Sequence, residues 1–300
     1  MRCKKGWVQV QVLFMGMGQM GRRMVRRLNR NTTWIWNRTT SVSTEMANGE
    51  GWRVAENLEE AVAASSVVIT MLRDDQAVES VGRTGFYQAL SPNTLWIDMT
   101  TGAPDATRRY VEIARWRQAK FVAAPVVGSL KPAEEGTLMI LAGGDEDALT
   151  VAAPILSQFG RFMAVGTPEQ ALTVKLSVNA VLAFYVNGVA EALQLTDQVG
   201  LDRSFVLELL GSSSVGAPLL KGKARRWEQH DYTPEFSIGL LHKDLRLARS
   251  WAKSLSVIAE GINRIEEVYE KGAEGPWADR DMVGIAEALS QPGRHSDGNH

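Results

Sequence analysis

The chain has 300 residues, 45% of them hydrophobic and 22% charged, with a formal net charge of -1, which is enough for two domains with separate cores. The even charge excludes the basic footprint of a nucleic-acid binder and gives no sign of an acidic partner. One cysteine, Cys3, excludes an internal disulfide, and the chain has neither an apolar run of about 18 residues nor signal-peptide features, so a cytoplasmic protein without a membrane span is expected.

In chain order, residues 8–15 alternate and then turn fully apolar, as a buried strand does. They run into Gly16-Met17-Gly18-Gln19-Met20-Gly21, which matches G-x-G-x-x-G, and Met20, Met24, Val25 and Leu28 continue at helical spacing. Strand, glycine turn and helix together make a dinucleotide fingerprint: Gly16 for the tight turn, Gly18 for backbone approach to a pyrophosphate, Gly21 for close packing. The helix N-terminus then presents its N–H groups to the phosphates. A second strand, Thr33 to Trp36, ends in Asn37-Arg38-Thr39. An NAD-selective fold carries an acid here, about 20 residues past the first glycine, to hold the ribose 2′-hydroxyl. Asn37 and Arg38 replace it, and a guanidinium suits a 2′-phosphate, so NADP is the expected cofactor. Were Arg38 only to stack on the adenine, NAD would remain usable. The basic clusters Arg22 to Arg27 and Lys221 to Arg226 read as solvated helix faces.

Further strands are expected at 67–72, 94–99, 120–123, 137–142 and 162–165, with helices at 105–118 and 146–159 and a loop from Pro125 to Gly136. Alternating β and α elements predict an α/β fold, a Rossmann-type, mostly parallel, doubly wound sheet over residues 1–165. Ligands in such sheets sit beyond the carboxyl ends of the strands, so Met71, Leu72 and Thr101 are expected cofactor neighbours.

From residue 166 to 292 only helices are expected, followed by a disordered tail at 293–300. The first helix, about 168–200, begins with Thr167 and Gln170 spaced as a capping box and with Pro168 at its first position. It is apolar nearly all round, which predicts burial, except that Lys175, Asn179, Asn187 and Glu191 interrupt it. Lys175 and Asn179 lie one turn apart on one face, and a buried lysine is costly unless it is paired or used. Shorter helices follow near 202–210, 218–227, 238–255, 259–271 and 279–289. Such an all-α unit is expected to pair apolar faces in a homodimer or homotetramer. His230 and His242 are single and His295 and His300 lie in the tail, so no metal site is expected.

Four blocks in order resemble the β-hydroxyacid dehydrogenase family, which includes 3-hydroxyisobutyrate dehydrogenase and the semialdehyde reductases. They are the glycine turn, Ala124-Pro125-Val126 with Gly136-Thr137-Leu138, the helix of Lys175 and Asn179, and Phe236 with Lys243-Asp244. The resemblance implies that Lys175 is the catalytic acid and base and that Asn179 positions substrate. It implies further that Thr101 lies by cofactor and substrate, that Lys243 contacts the cofactor, and that Phe236 and Asp244 help close the site. The family's loop continues as Ser-Gly-Gly and grips a carboxylate, whereas this chain has Val127-Gly128-Ser129; Ser129 and the amides of Gly128 and Ser129 are the candidates to replace it. Ala123, Ala171 and Val178 depart from the pattern as well. Lys131 to Glu135 resembles the loops of the semialdehyde-reducing branch.

The expected activity is therefore reversible hydride transfer between a small β-hydroxyacid and its semialdehyde. Burial lowers a lysine pKa and neighbouring negative charge raises it, and either way the group can exchange a proton with the substrate oxygen. Two alternatives stay open: an imine reductase, which shares the architecture but generally lacks the lysine, and a non-catalytic dinucleotide-binding scaffold.

Overall fold

The computed structural model describes residues 10–290. Cys3, the first two residues of the first expected strand (Val8 and Gln9) and the tail with His295 and His300 lie outside the described residues.

The first half alternates strands and helices: β1 (Val12–Met15), α1 (Gly21–Met24), β2 (Thr33–Trp36), α2 (Thr40–Glu50), β3 (Arg53–Val54) and α3 (Leu58–Ala63). Then come β4 (Val67–Thr70), α4 (Asp75–Val81), α5 (Tyr87–Ala89), β5 (Leu95–Asp98), α6 (Pro104–Trp116) and β6 (Lys120–Ala123). The segment ends with β7 (Val126–Val127), α7 (Leu130–Glu135), β8 (Leu138–Gly144), α8 (Glu146–Leu156) and β9 (Gly160–Gly166). The nine strands among the described residues form one sheet, and β3-β2-β1-β4-β5-β6 run parallel in that spatial order. This is the doubly wound arrangement, in which the order reverses between β1 and β4. β8 pairs antiparallel with β6 and β7 and parallel with β9, so one side of the sheet is mixed.

β1, β4 and β5 are buried at every position, as expected for parallel strands covered on both faces. The pleat sends Leu13, Met15, Val68, Trp96 and Phe121 to one core and Phe14, Ile69, Ile97 and Val122 to the other. Trp96 centres the first core, with the rings of Phe121, Phe86 and Tyr110 at 4.9, 5.0 and 5.2 Å.

Two local expectations are corrected. The helix after the glycine turn is a single α turn that tightens into a 3₁₀ turn at Val25–Arg27. Asn29 explains the stop, because its side chain accepts the Asn31 N–H and starts a separate turn just before β2. The expected loop from Pro125 to Gly136 contains β7 and α7, and Gly136 ends α7 in the left-handed conformation.

The second half is helical: α9 (Pro168–Asp197), α10 (Arg203–Ser212), α11 (Pro218–Glu228), α12 (Ile238–Ser254), α13 (Glu260–Gly272) and α14 (Ile285–Ser290). The capping box forms: Thr167 N–H donates to Gln170 Oε1 at 2.8 Å, and Gln170 N–H to Thr167 Oγ1 at 3.3 Å. The chain divides into two compact units within α9, between Lys175 and Leu176. In the helical unit Ala183, Val186, Ala190 and Leu193 of α9 pack with Trp227, Leu241, Leu245 and Tyr269. By length and composition alone α9 would cross a bilayer, but this stripe is the core of a folded helical unit. Burial is one-sided, since Val174, Val178, Val181 and Phe184 are exposed. An all-round apolar helix is thus buried only where neighbouring helices meet it.

Candidate active site

The glycine turn is built for close backbone approach. Gly16 has φ +106°, and a Cβ there would lie 2.2 Å from the Met71 carbonyl oxygen. At Gly21 a Cβ would lie 1.8 Å from the Gly16 oxygen, so neither position admits a side chain. At Gly18 a Cβ would meet nothing within 4 Å, and this open side is where phosphate oxygens can reach the turn. The one-turn α1 suffices for that purpose, because helix-end electrostatics act within the first turn.

Asn37 reaches back to the turn: Met17 N–H donates to its Oδ1 at 3.0 Å, and its Nδ2 donates to the Thr39 carbonyl at 3.1 Å. Its amide holds β2's end against the turn, while the neighbouring Arg38 is exposed and has no ion-pair partner among the described residues. Thr39 N-caps α2 without a side-chain cap bond, and the first turn of α2 carries no acid. Gln19 anchors Arg23 through its backbone carbonyl at 2.8 Å, and Met20 packs against the core. The residues fit a dinucleotide: the turn for its pyrophosphate, Arg38 and Thr39 for its ribose end.

Beside the turn lie the ends of β4 and β5. Leu72 N–H donates to Thr100 Oγ1 at 3.1 Å, and Ala103 N–H to Asp75 Oδ2 at 2.7 Å, so both post-strand loops are tied down around Met71, Leu72 and Thr101. Beneath them sits Asp98, buried, with Oδ1 accepting the Thr70 hydroxyl at 2.7 Å and the Thr100 N–H at 3.1 Å. Desolvation pushes its carboxyl up to about 7, against the pull of the threonine donors. A carboxyl held above its unfolded value binds more protons in the folded state, so its contribution is favourable below about pH 4 and is lost as pH rises toward 7. The loss is at most on the order of 4 kcal/mol. Melting wild type and Asp98→Asn at pH 5 and pH 7.5 should show the variant gaining on wild type at the higher pH. A pH-independent difference would mean that Asp98 does not titrate in this range.

Val127 lies in β7, paired with Met139, and is half-buried. Gly128 follows with φ +138°, and Ser129 precedes α7 without capping it through its side chain. No hydroxyl stands at Val127, and that of Ser129 is not tied up by the helix it precedes.

On α9, Lys175 is buried at 8% exposure, with Asn179 one turn on. Asn179 Nδ2 donates to Asp244 Oδ2 at 2.6 Å, and Lys243 Nζ pairs with Asp244 Oδ1 at 2.8 Å. The buried Asp244 thereby fixes which way the Asn179 amide points, leaving its oxygen on the side away from the carboxylate. Ser237 caps α12, which presents Lys243 and Asp244, by accepting the Leu240 N–H. These distant parts of the sequence converge in one polar cluster, whereas Phe236 is held by another residue.

That residue is Asp281, fully buried, which sequence reasoning did not single out. It accepts the N–H groups of Glu235, Phe236 and Val283 at 2.8, 3.2 and 3.3 Å. Lys223 lies 3.3 Å and Arg226 3.6 Å from it, and both cations also pair with Glu235. Lys223 and Arg226 are therefore not a solvated face, and the turn at Asp281 is why the expected helix from 279 starts late, as 3₁₀ (Met282–Gly284) leading into α14. His242 also has partners that its spacing did not reveal: Nε2 lies 3.0 Å from Glu266, and Glu270 is close by. Arg249 pairs with the same Glu266 at 2.6 Å, so this buried carboxylate already meets two side-chain partners.

Comparison with known proteins agrees with this geometry. The family model described as the NAD binding domain of 6-phosphogluconate dehydrogenase matches residues 11–168, and that described as NAD-binding of NADP-dependent 3-hydroxyisobutyrate dehydrogenase matches residues 170–289. The chain is 30% identical over 285 residues to glyoxylate/succinic semialdehyde reductase 1 of Arabidopsis thaliana, covering 93% of this chain and 98% of that one. It is 28% identical to 2-(hydroxymethyl)glutarate dehydrogenase of Eubacterium barkeri, covering 94% and 95%. The solved 3-hydroxyisobutyrate dehydrogenase of Mycobacterium tuberculosis, with L-serine, superimposes with a TM-score of 0.82 at 26% identity, covering 94% and 99%.

Proposed function

The chain belongs to the β-hydroxyacid dehydrogenase family of NAD(P)-dependent oxidoreductases, and within it we propose an NADP-preferring enzyme that interconverts a small β-hydroxyacid and its semialdehyde. The observation that carries this reading is the buried Lys175 beside an Asn179 whose amide is oriented by the Asp244–Lys243 pair. The dinucleotide supplies or takes the hydride. Lys175 Nζ gives a proton to the carbonyl oxygen as it is reduced and takes it back when the alcohol is oxidised. Asn179 orients the reacting oxygen, and Asp244 keeps Asn179 from flipping.

NADP preference is supported by the exposed Arg38, which has no ion-pair partner among the described residues, and by the absence of an acid in the first turn of α2. The Arabidopsis relative, named for glyoxylate and succinic semialdehyde, supports a short acidic aldehyde as substrate, and Ser129 with the Gly128–Ser129 amides supports recognition of its carboxylate. A homo-oligomer is supported by the exposed Val174, Val178, Val181 and Phe184.

The test is oxidation of NADPH, with NADH in parallel, across glyoxylate, succinic semialdehyde, methylmalonate semialdehyde and a cyclic imine. Turnover of an acidic aldehyde with kcat/KM at least about tenfold higher for NADPH is expected, a gap worth about 1.4 kcal/mol. Turnover of the imine alone would replace the reading with imine reduction, for which the hydroxyl-free Val127 is the feature that argues.

A further inference from the structure

Thr70 and Asp98 are paired at the last ladder position of β4 and β5. Beyond them the chain leaves the sheet as Met71–Leu72 on one side and Met99–Thr101 on the other. An apolar pair would pack here but would leave the direction of both exits undetermined, since apolar contact is non-directional. The polar pair does more, and the order of its hydrogen bonds follows from the donors.

Trp96 Nε1 lies 2.9 Å from Thr70 Oγ1. An indole nitrogen only donates, so the threonine oxygen accepts there, and its own proton goes to Asp98 Oδ1 at 2.7 Å. On the other strand Leu72 N–H donates to Thr100 Oγ1 at 3.1 Å. The Thr100 N–H also ends on Asp98 Oδ1 at 3.1 Å. Thr70, which accepts from the aromatic core, and Thr100, which accepts from the β4 exit, thus both donate to a single acceptor, Thr70 through its hydroxyl and Thr100 through its backbone N–H. Asp98 itself is 4% exposed.

From this convergence we infer that Asp98 is a positioning residue for the nicotinamide end of the cofactor: through Thr70 and Thr100 it sets the two strand exits, Met71–Leu72 and Thr100–Thr101, that border that end. The inference rests on the dinucleotide reading above. The β4 exit flanks the point between β1 and β4 where strand order reverses, beyond which such sheets bind their ligands, and the β5 exit lies next to it. Leucine at 98 fills nearly the same volume but accepts nothing, which leaves the Thr100 N–H and the Thr70 hydroxyl proton without a partner in the core. Asparagine keeps Oδ1 for the Thr70 hydroxyl and the Thr100 N–H.

Equilibrium binding of NADPH and of adenosine 2′,5′-bisphosphate, which lacks the nicotinamide half, separates this role from a merely structural one. Asp98→Leu is expected to weaken NADPH about tenfold, and to leave adenosine bisphosphate within about twofold of wild type. Bound NADPH should lose the shift in its nicotinamide fluorescence, and Asp98→Asn should restore both affinity and shift to within about threefold. Unchanged NADPH binding, or equal loss of both ligands, would overturn the inference. A wild-type chain that binds neither ligand would overturn the dinucleotide reading and this inference with it; one that binds both while Asp98→Leu behaves as wild type would overturn this inference alone. If Asp98→Leu is recovered only unfolded, Thr100→Val breaks the same relay at its outer link, and the same selective loss is expected of it. Wild-type NADPH binding by Thr100→Val would overturn the inference equally.

Discussion

Replacement of Lys175 by alanine is expected to lower kcat by about 10²- to 10⁴-fold, the range that general acid–base groups contribute. The same variant should bind NADPH within about threefold of wild type, because proton transfer to the substrate oxygen is made in the transition state and not in the cofactor complex. Lys175 is buried, so truncation could act through packing, and a second variant is needed. Lys175→Met keeps the length and apolar stem of the side chain but cannot exchange a proton; it should be as inactive as the alanine variant and melt near wild type. Lys175→Arg keeps the charge, yet a guanidinium does not release its proton near neutral pH, so it should be nearly as impaired. Steady-state kinetics with an acidic aldehyde, beside a cofactor titration, would decide. Methionine at 175 with more than about a tenth of wild-type kcat is incompatible with a proton-transfer role of this size.

The second large effect is on stability. Asp281→Ala should destabilise the helical unit by about 3–5 kcal/mol, as removal of one partner from a buried ion pair does. The loss has two parts. Lys223 would keep only Glu235, which is more exposed than Asp281, while Arg226 would keep Glu235 and Asp231, and the N–H groups of Glu235, Phe236 and Val283 would lose their acceptor. Asp281→Asn retains an acceptor without the charge and should fall between alanine and wild type. Lys223→Met combined with Asp281→Ala should be less destabilised than the sum of the two single changes, because the double change removes the stranded cation. Thermal melts followed separately in each unit are the measurement, since a chain of two units need not unfold in one step. A melt within about 1 kcal/mol of wild type for Asp281→Ala would show that the network contributes little beyond surface pairing.

The two predictions concern residues of very different visibility in the sequence. Lys175 stands out because it interrupts an apolar helical run one turn before Asn179. Asp281 has no such mark: its neighbours Arg280 and Met282 say nothing of the Glu235 and Phe236 amides it accepts, which are 46 and 45 positions away. Asp98 is likewise unmarked in the sequence, the last polar residue of an apolar strand, because its partner Thr70 lies 28 residues earlier. Lys223 belongs to a basic run that reads as solvated, and only the fold supplies the acids that take it inside. The position of Asn37 after β2 points to the cofactor, and the structure adds that its amide holds the turn itself.

By itself the sequence determined whatever depends on local covalent geometry and periodicity. Gly16 and Gly21 mark a turn no side chain could enter, the capping box of Thr167 and Gln170 starts α9 where it should, and alternation of apolar runs and helices sets a parallel, doubly wound sheet. These follow from backbone sterics and hydrogen bonding over a few residues, which neighbours in the chain suffice to define. Tertiary structure decided the rest: which strands run antiparallel at β8, how soon the helix after the glycine turn stops, which side of α9 is buried, and which acids lose their water. Burial of Asp98, Asp244 and Asp281 is settled by partners brought from far along the chain, because the desolvation and pairing of a charge depend on everything packed around it.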